Sequence, residues 1–223
     1  MQPQADPFIV PVCHEDIRII DQNDNFLLIE KPSGLLSLSG KHPLNKDSVH
    51  FRLVQDFPSA TLVHRLDFGT SGIMLVALNK AANAHFTRQF QARTVEKSYT
   101  ALLYGELQDD SGSIELPIAK DVENFPLQKI CSQTGKLAVT FFKVLDRPSD
   151  KKCTRVEFIP HSGRTHQLRI HSREMGHPIL GCDLYACDEA FGMASRLMLH
   201  AGRLEFDDPM SGERVVGVSD VPF

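Results

Sequence analysis

The sequence has no apolar run long enough to cross a lipid bilayer. Its longest run, residues 73–78, has six residues, whereas a membrane-spanning helix needs about 20. The N-terminal residues contain no basic stretch followed by an apolar one, so we expect no secretory signal. These two absences exclude membrane and secreted proteins from the classes that we consider.

The chain also lacks the glycine-rich phosphate-binding motifs GxxxxGK[ST] and GxGxxG. The segment GTSG at residues 69–72 does not have the serine spacing of a nucleophile elbow. His166 and His171 lie about 500° apart around a helix and do not converge on one metal ion. Cys182 and Cys187 have no second pair at zinc-ligand spacing. We therefore expect chemistry that needs neither a cofactor nor a metal.

Cysteine is scarce, and its five residues are scattered and odd in number. This usage is typical of reduced thiols in a cytoplasmic protein and not of a disulfide framework. A hydrophobic content of 42% and a charged content of 23% are ordinary for a globular protein. The 223 residues suffice for one domain with a sizeable core.

The net charge of −4 argues weakly against a nucleic-acid partner. The distribution of charge matters more, because residues 143–173 hold eight Lys or Arg and three Asp or Glu. Residues 106–123 hold six acidic residues and one lysine. A polyanion could bind on one side of such a molecule, although both stretches are equally consistent with solvated surface.

Apolar runs bounded by turn residues predict strands, and apolar spacings of three and four predict helices. The predicted strands are residues 26–30, 73–78, 98–107, 140–145, 154–159, 197–206 and 214–218, and the predicted helices are residues 49–57, 80–93 and 165–175. Strands outnumber helices without a regular alternation, which favours an α+β fold with a largely antiparallel sheet and flanking helices. We expect an N-terminal arm over residues 1–20 and one domain over residues 21–223.

Residues 63–72, VHRLDFGTSG, place charged side chains directly before a glycine-containing turn. In an extended segment, Arg65 and Asp67 project to one face while Leu66 projects to the other, into the core. A cation and a carboxylate beside a turn are also consistent with a surface ion pair of little energetic value. Spacing alone does not decide between a functional site and a solvated pair.

A second charged segment, residues 161–171 (HSGRTHQLRIH), can carry five cations. If its latter part is helical, His166 and Arg169 share one face. The segment is either a basic surface helix or part of a binding site for an anion, and the spacing leaves both open.

Five segments together resemble the RluA family of RNA pseudouridine synthases in order and spacing. They are KPSG at residues 31–34, HRLDFGTSG at 64–72, KSY at 97–99, GRTHQLRIH at 163–171 and GHPILG at 176–181. The resemblance extends from about residue 21 to the C-terminus. It is greatest to a short member that modifies a 23S rRNA hairpin and a tRNA anticodon stem-loop, and that likewise has no N-terminal RNA-binding domain.

The resemblance implies a single pseudouridine synthase domain and an isomerase that converts specific RNA uridines to pseudouridine without a cofactor. The family's essential aspartate corresponds to Asp67, which attacks the sugar or removes the C2′ proton; both mechanisms stay open. Arg169 corresponds to the arginine that keeps this carboxylate ionised. Tyr99 corresponds to the tyrosine that stacks on uracil and assists removal of the C5 proton.

RNA binding by other residues follows from the same resemblance. Arg65 is expected to hold the flipped nucleotide through a phosphate. His64, Lys31, Arg164 and His166 are expected to contact the RNA backbone or to shape a central RNA-binding cleft. The target uridine has to leave the base stack, which costs least in a loop. We expect a monomer that binds stem-loops of rRNA, tRNA or both.

Two positions depart from the family pattern. Residues 181–183 are GCD where Gly-Asp is usual, which leaves the role of the Asp183 carboxylate open, and Ser162 replaces a common threonine. Two alternatives also remain. An RNA-binding module without catalysis has no use for a buried carboxylate that faces phosphates. A glycosidase ordinarily needs a second acidic residue across the bond.

Overall fold

The computed structural model describes residues 8–148 and 152–223. Its strands are β1 (Arg18–Gln22), β2 (Phe26–Lys31), β3 (Thr61–Leu62), β4 (Ser71–Ala77), β5 (Glu96–Tyr104), β6 (Ser111–Lys120), β7 (Gln128–Ile130), β8 (Lys136–Asp146), β9 (Cys153–Pro160), β10 (Leu199–Asp207) and β11 (Arg214–Val218). Its α-helices are α1 (Val49–Asp56), α2 (Lys80–Ala92), α3 (Gln167–Glu174) and α4 (Asp188–Gly192), and a 3-10 turn, Pro43–Asn45, precedes α1. Within these two ranges, no helix combines the length and the apolar character that a membrane span requires.

The described residues form two compact units. Unit 1 contains the residues up to Val95 together with Arg203–Asp220, and unit 2 contains Glu96–Gly202 together with Val221–Phe223. Strand β10 begins in unit 2 and ends in unit 1. The predicted boundary between arm and domain falls inside β1, and residues 1–7 of the predicted arm lie outside the described residues.

The sheet of unit 1 has the strand order β1-β2-β4-β10, with β3 paired to β4 and β11 paired to β10. Every residue of β4 is buried, because an uninterrupted apolar strand suits the centre of a sheet. The strand predicted at residues 73–78 is thereby confirmed. Beside it, Phe86 of α2 lies edge to face with Phe26 and Phe206, at ring-centroid distances of 6.1 and 5.4 Å.

Helices α1 and α2 of unit 1 each begin after a residue whose side chain caps the first turn. Ser48 Oγ accepts a hydrogen bond from the backbone N–H of Phe51 at 3.1 Å. Asn79 Oδ1 accepts one from the N–H of Ala82 at 2.9 Å. Each cap satisfies a backbone donor that a helix start leaves without an intrahelical acceptor.

The sheet of unit 2 has the strand order β10-β5-β9-β8-β6-β7. The β5–β9, β8–β9, β6–β8 and β6–β7 pairings are antiparallel, as are β1–β2, β2–β4, β3–β4 and β10–β11 in unit 1. Helix α3 packs on β6 and β8 and buries Ile170 in a core with Phe158 and Leu199. The predicted α+β fold with a largely antiparallel sheet is confirmed.

Several elements differ from the prediction. Strands β1, β3, β6 and β7 and helix α4 were not expected. Helix α3 starts at Gln167 and not at residue 165, because His166 adopts left-handed backbone angles, with φ of 56°. The backbone at residues 163–166 is therefore a turn, and its side chains do not follow helical spacing.

Candidate active site

Asp67 lies in an irregular segment of unit 1 between β3 and β4. The neighbouring Leu66 is buried, and its backbone N–H and C=O both bond to the hydroxyl of Ser37, at 3.1 and 2.7 Å. The C=O of Asp67 itself accepts the N–H of Thr70 at 3.1 Å. Arg65 is exposed and Asp67 is half-buried. The predicted placement of Leu66 in the core is confirmed, although the segment is not a strand.

Lys31, whose side chain is completely buried, also supports this segment through a hydrogen bond to Phe68. The Lys31 ammonium donates to the carbonyl oxygens of Pro32, Leu35 and Phe68, at 2.8, 2.7 and 3.1 Å. Three acceptors compensate the cost of burying a cation. Of the two roles expected for Lys31, this geometry favours shaping the site over contact with RNA, because all three N–H groups of the ammonium already have acceptors within unit 1.

Two further bonds join the KPSG segment to the loop of Asp67. Ser33 Oγ donates to the C=O of Gly69 at 2.7 Å, and the N–H of Gly34 donates to the C=O of Phe68 at 2.9 Å. Gly34 has φ of 75°, which glycine adopts without strain. The loop that carries Asp67 is thus fixed by hydrogen bonds within unit 1.

His64 also packs inside unit 1. Its Nε2 accepts the backbone N–H of Leu75 at 2.9 Å, and its ring stacks on Phe90 with 4.9 Å between centroids. Accepting through Nε2 requires an unprotonated nitrogen, so the bond holds His64 neutral. For this residue too the structure favours shaping the loop over direct contact with RNA.

In unit 2, Tyr99 lies on β5, opposite Phe158 of β9. Its half-buried ring packs against the unit 2 core. Lys97 lies two residues earlier, and side chains two apart on a strand point to the same face. Burial lowers the pKa of Lys97 from its ordinary value. No sequence argument singled out Lys97, and its position in the KSY segment is the signal that could have done so.

Arg169, the first-turn arginine of α3, is nearly buried, with 4% of the residue exposed. Its guanidinium forms an ion pair with Asp183, and its Nε donates to Cys182 Sγ at 3.3 Å. The guanidinium also lies over the ring of Tyr185, at 5.4 Å from the centroid. The GCD segment, whose carboxylate had no assigned role, therefore provides a charged partner for Arg169.

Tyr185 connects Arg169 to His166. The Tyr185 hydroxyl lies 2.8 Å from Nδ1 of His166 and accepts the backbone N–H of Gln128 at 2.8 Å. Arg173 lies over the same ring, at 5.5 Å. His166, which was expected to contact RNA or shape the cleft, is thus anchored to an aromatic side chain that sequence reasoning missed.

Gln167 fixes the turn before α3. Its Oε1 accepts the backbone N–H of Arg164 and the hydroxyl of Ser162, both at 2.9 Å. Its Nε2 donates to the C=O of Val139 at 3.0 Å and to Thr140 Oγ1 at 2.9 Å. Two bonds of this buried amide attach the turn to β8, and the other two hold the turn together internally. Serine at position 162 supplies the hydroxyl that this arrangement uses.

Acidic residues within unit 2 offset much of the basic stretch at residues 143–173. Ion pairs join Arg147 to Asp110, Arg155 to Asp146, Arg169 to Asp183 and Arg173 to Glu174. Lys151 and Asp150 of this stretch lie outside the described residues. The net positive charge that this stretch presents to a ligand is therefore smaller than its sequence indicates.

The structure divides the predicted catalytic residues between the units, with Asp67 in unit 1 and Tyr99 and Arg169 in unit 2. The predicted pairing of Asp67 with Arg169 stays a prediction. Within residues 8–148 and 152–223, no group of three or more His, Cys, Asp or Glu side chains is arranged to hold a metal ion. The chemistry that these residues offer is that of a carboxylate, a phenol and guanidinium groups.

Comparison with known proteins assigns this arrangement to a family. Residues 25–174 match the model of the RNA pseudouridylate synthase family. The chain is 49% identical over 197 residues to a protein of Yersinia pestis named dual-specificity RNA pseudouridine synthase RluA, covering 86% of this chain and 95% of that protein. It is 43% identical over 210 residues to the protein of the same name from Escherichia coli strain K12, covering 94% and 92%.

Solved structures agree. Human RNA pseudouridylate synthase domain containing 1 superposes with a TM-score of 0.80 at 31% identity, over 96% of this chain and 86% of that one. Human RNA pseudouridylate synthase domain containing 4 has the same fold, with a TM-score of 0.73 at 24% identity over 92% and 88%. Fold and sequence similarity therefore both extend over nearly the whole chain.

Proposed function

The chain belongs to the RNA pseudouridylate synthase family, whose members isomerise uridine in RNA to pseudouridine, and from this premise we propose that it modifies both a 23S rRNA hairpin and a tRNA anticodon stem-loop. The supporting observation is the 49% identity that spans 95% of a relative named as dual-specificity. We further propose that it acts as a monomer in the cytoplasm, where a chain whose five cysteines form no disulfide is typically found.

The reaction conserves every atom of the nucleotide except for one exchanged proton. The N1–C1′ bond breaks, the uracil turns, C5 bonds to C1′, and the C5 proton leaves as N1 gains one. We assign the first step to the carboxylate of Asp67, which either bonds to C1′ or removes the C2′ proton. Its loop is supported by Lys31, Ser33 and Ser37, so its backbone is positioned before substrate arrives.

Tyr99 and Arg169 complete the proposed catalytic set. Tyr99 presents a half-buried ring on which uracil can stack, and we assign to its hydroxyl the role of assisting loss of the C5 proton. Arg169 supplies a guanidinium that keeps Asp67 ionised. Within unit 2 the guanidinium is held by its ion pair with Asp183.

Arg65 is the exposed cation next to the catalytic loop. We propose that it contacts a phosphate beside the flipped uridine, because guanidinium forms paired hydrogen bonds to phosphate oxygens. His64, Lys31 and His166 act on the shape of the site, since each has an internal partner. Arg164 remains available for RNA.

The experiment is release of tritium from [5-³H]uridine in two transcripts, a 23S rRNA hairpin and a tRNA anticodon stem-loop. Release from both, with pseudouridine found by nuclease digestion and mass spectrometry, is the expected result. Release from one transcript alone would contradict dual specificity. Release from neither, with folded protein, would contradict the proposed substrates.

A further inference from the structure

We propose that Lys97 and Arg164 together form a subsite for one phosphate of the RNA strand that carries the target uridine. This inference rests on the proposed function, because it takes RNA as the ligand. It assigns Lys97 a role in binding, and it gives Arg164 a defined ligand group in place of a general contact with RNA.

Lys97 is a shielded cation without an internal counter-ion. Its ammonium has no hydrogen bond or ion pair with any residue in the described part of the chain, and burial alone accounts for the lowering of its pKa. A cation removed from water without a partner destabilises a fold. Such a group is typical of a site that an anionic ligand completes.

Gly163 leaves the approach to this ammonium open. A Cβ built on Gly163 would lie 3.7 Å from Lys97 Nζ and, apart from its chain neighbours Ser162 and Arg164, would have no other neighbour within 4 Å among the described residues. Gly163 is exposed, so the space in front of the ammonium leads to solvent. Its backbone is not in the left-handed region, so glycine is not required here by conformation. The missing side chain is instead what gives a ligand access to Lys97.

Arg164, the next residue, contributes the second cation. Its Nε is buried and has no hydrogen-bond acceptor in the described ranges. Its backbone N–H is held by Gln167 Oε1 at 2.9 Å, so the turn is fixed while the guanidinium still has a donor to satisfy. The Lys97 ammonium lies next to Gly163, and Arg164 follows Gly163 in the chain. Two unsatisfied cationic groups in this region suit a phosphate, which accepts several charge-assisted hydrogen bonds at once.

The subsite lies beside the proposed base-stacking position. Lys97 and Tyr99 project from the same face of β5, about 7 Å apart along the strand. A uracil on the Tyr99 ring would therefore place a neighbouring phosphate of its own strand near Lys97. The acidic partners of Arg147, Arg155 and Arg173 balance those arginines, so fewer cations of unit 2 compete with Lys97 and Arg164 for a phosphate.

The test is the RNA affinity of Lys97→Gln and Arg164→Gln, measured by filter binding from 50 to 300 mM salt on the stem-loop transcript that wild type modifies. Each variant should bind about tenfold more weakly at low salt. The slope of log Kd against log salt should fall by about 1, because one phosphate contact is lost. Lys136→Gln, which removes an exposed lysine of β8, is the matched control.

Three companion variants exclude a structural explanation. Lys97→Arg should retain most of the affinity, whereas Gly163→Val should weaken binding without a change in charge by covering the ammonium. The double variant Lys97→Gln/Arg164→Gln should lose less affinity than the product of the two single losses, because both groups serve one phosphate.

The outcomes are distinct. Multiplicative losses in the double variant would place the two cations on separate phosphates and overturn the shared subsite. A Kd and salt slope for Lys97→Gln equal to those of Lys136→Gln, in a protein that modifies the transcript, would also overturn it. A wild-type protein that modifies neither transcript would instead contradict the proposed function.

Discussion

The surroundings of Lys31 in unit 1 and of Lys97 in unit 2 differ in one decisive respect. Lys31 is fully buried and donates to three carbonyl oxygens, whereas Lys97 is shielded without an acceptor in the described part of the chain. A satisfied ammonium supports the fold, and an unsatisfied one costs stability unless a ligand completes it. The comparison supports the interpretation that internal hydrogen bonds preform the Asp67 loop. It also agrees with our proposal that Lys97 gains its hydrogen-bond acceptor from a phosphate of bound RNA.

The largest expected effect comes from the residue that the preformed loop carries. Asp67→Asn should reduce turnover by about 1,000-fold or more, because the amide can neither attack C1′ nor accept the C2′ proton. The Kd for RNA should change less than about threefold, since a phosphate contact is not lost. Tritium release and filter binding measure the two quantities, with the exposed Asp56→Asn as control. Equal loss of binding and turnover would make Asp67 structural.

Removal of the satisfied ammonium should destabilise unit 1. Lys31→Met leaves the carbonyls of Pro32, Leu35 and Phe68 without this donor, and we expect a loss of roughly 4 kcal/mol in the free energy of unfolding. Urea denaturation measures this loss, and Lys41→Met, at an exposed position of the same unit, should remain within about 0.5 kcal/mol of wild type. An unchanged stability for Lys31→Met would contradict the loop-supporting role.

In unit 2, burial disfavours the protonated form of His171 as it disfavours the charged form of Lys97. Burial lowers the pKa of His171 to about 4 from 6.5, against a smaller opposing effect of Glu174. Between these values the unfolded chain binds more protons than the folded protein, so stability falls as pH is lowered through that window. The loss should approach about 3 kcal/mol. Urea denaturation at pH 7 and pH 4.5 measures it, and the difference should shrink in His171→Gln.

A smaller effect is expected at the internal partner of Arg169. Asp183→Asn should lower kcat about tenfold, because the nearly buried guanidinium loses a charged acceptor that orients it. KM should change little, and Asp183→Glu should recover part of the rate. Asp109→Asn, an exposed acid of the same unit, is the control. A change in KM alone would show that Asp183 contacts substrate and does not position Arg169.

Sequence reasoning identified the elements whose patterns are local. The continuous apolar run of β4 and the apolar spacings of α1 and α2 were predicted because each depends on residues close together in the sequence. Strand β1 was missed because its residues are mostly exposed and carry no apolar period. Strand β6 was missed because Pro117, which is unfavourable in most strands, lies within it.

For the candidate site too, sequence reasoning identified local motifs but not the contacts that depend on packing. The motifs located the Asp67 loop and the turn before α3, but they do not reveal which cations are satisfied internally. Lys31 and His64 were expected either to contact the RNA backbone or to shape the cleft, and only the packed structure shows their internal partners. The contact of Asp183 with Arg169 depends on how a loop folds back on a helix, which a one-residue shift in a motif does not predict.

The comparison of the two lysines is tested most directly by measuring thermal unfolding and RNA affinity together for Lys31→Met and Lys97→Met. We expect opposite outcomes for the two variants. Lys31→Met should unfold at a clearly lower temperature, whereas Lys97→Met should unfold at the wild-type temperature or above it and bind the stem-loop about tenfold more weakly. A Lys97→Met protein that loses thermal stability and keeps its RNA affinity would contradict the account.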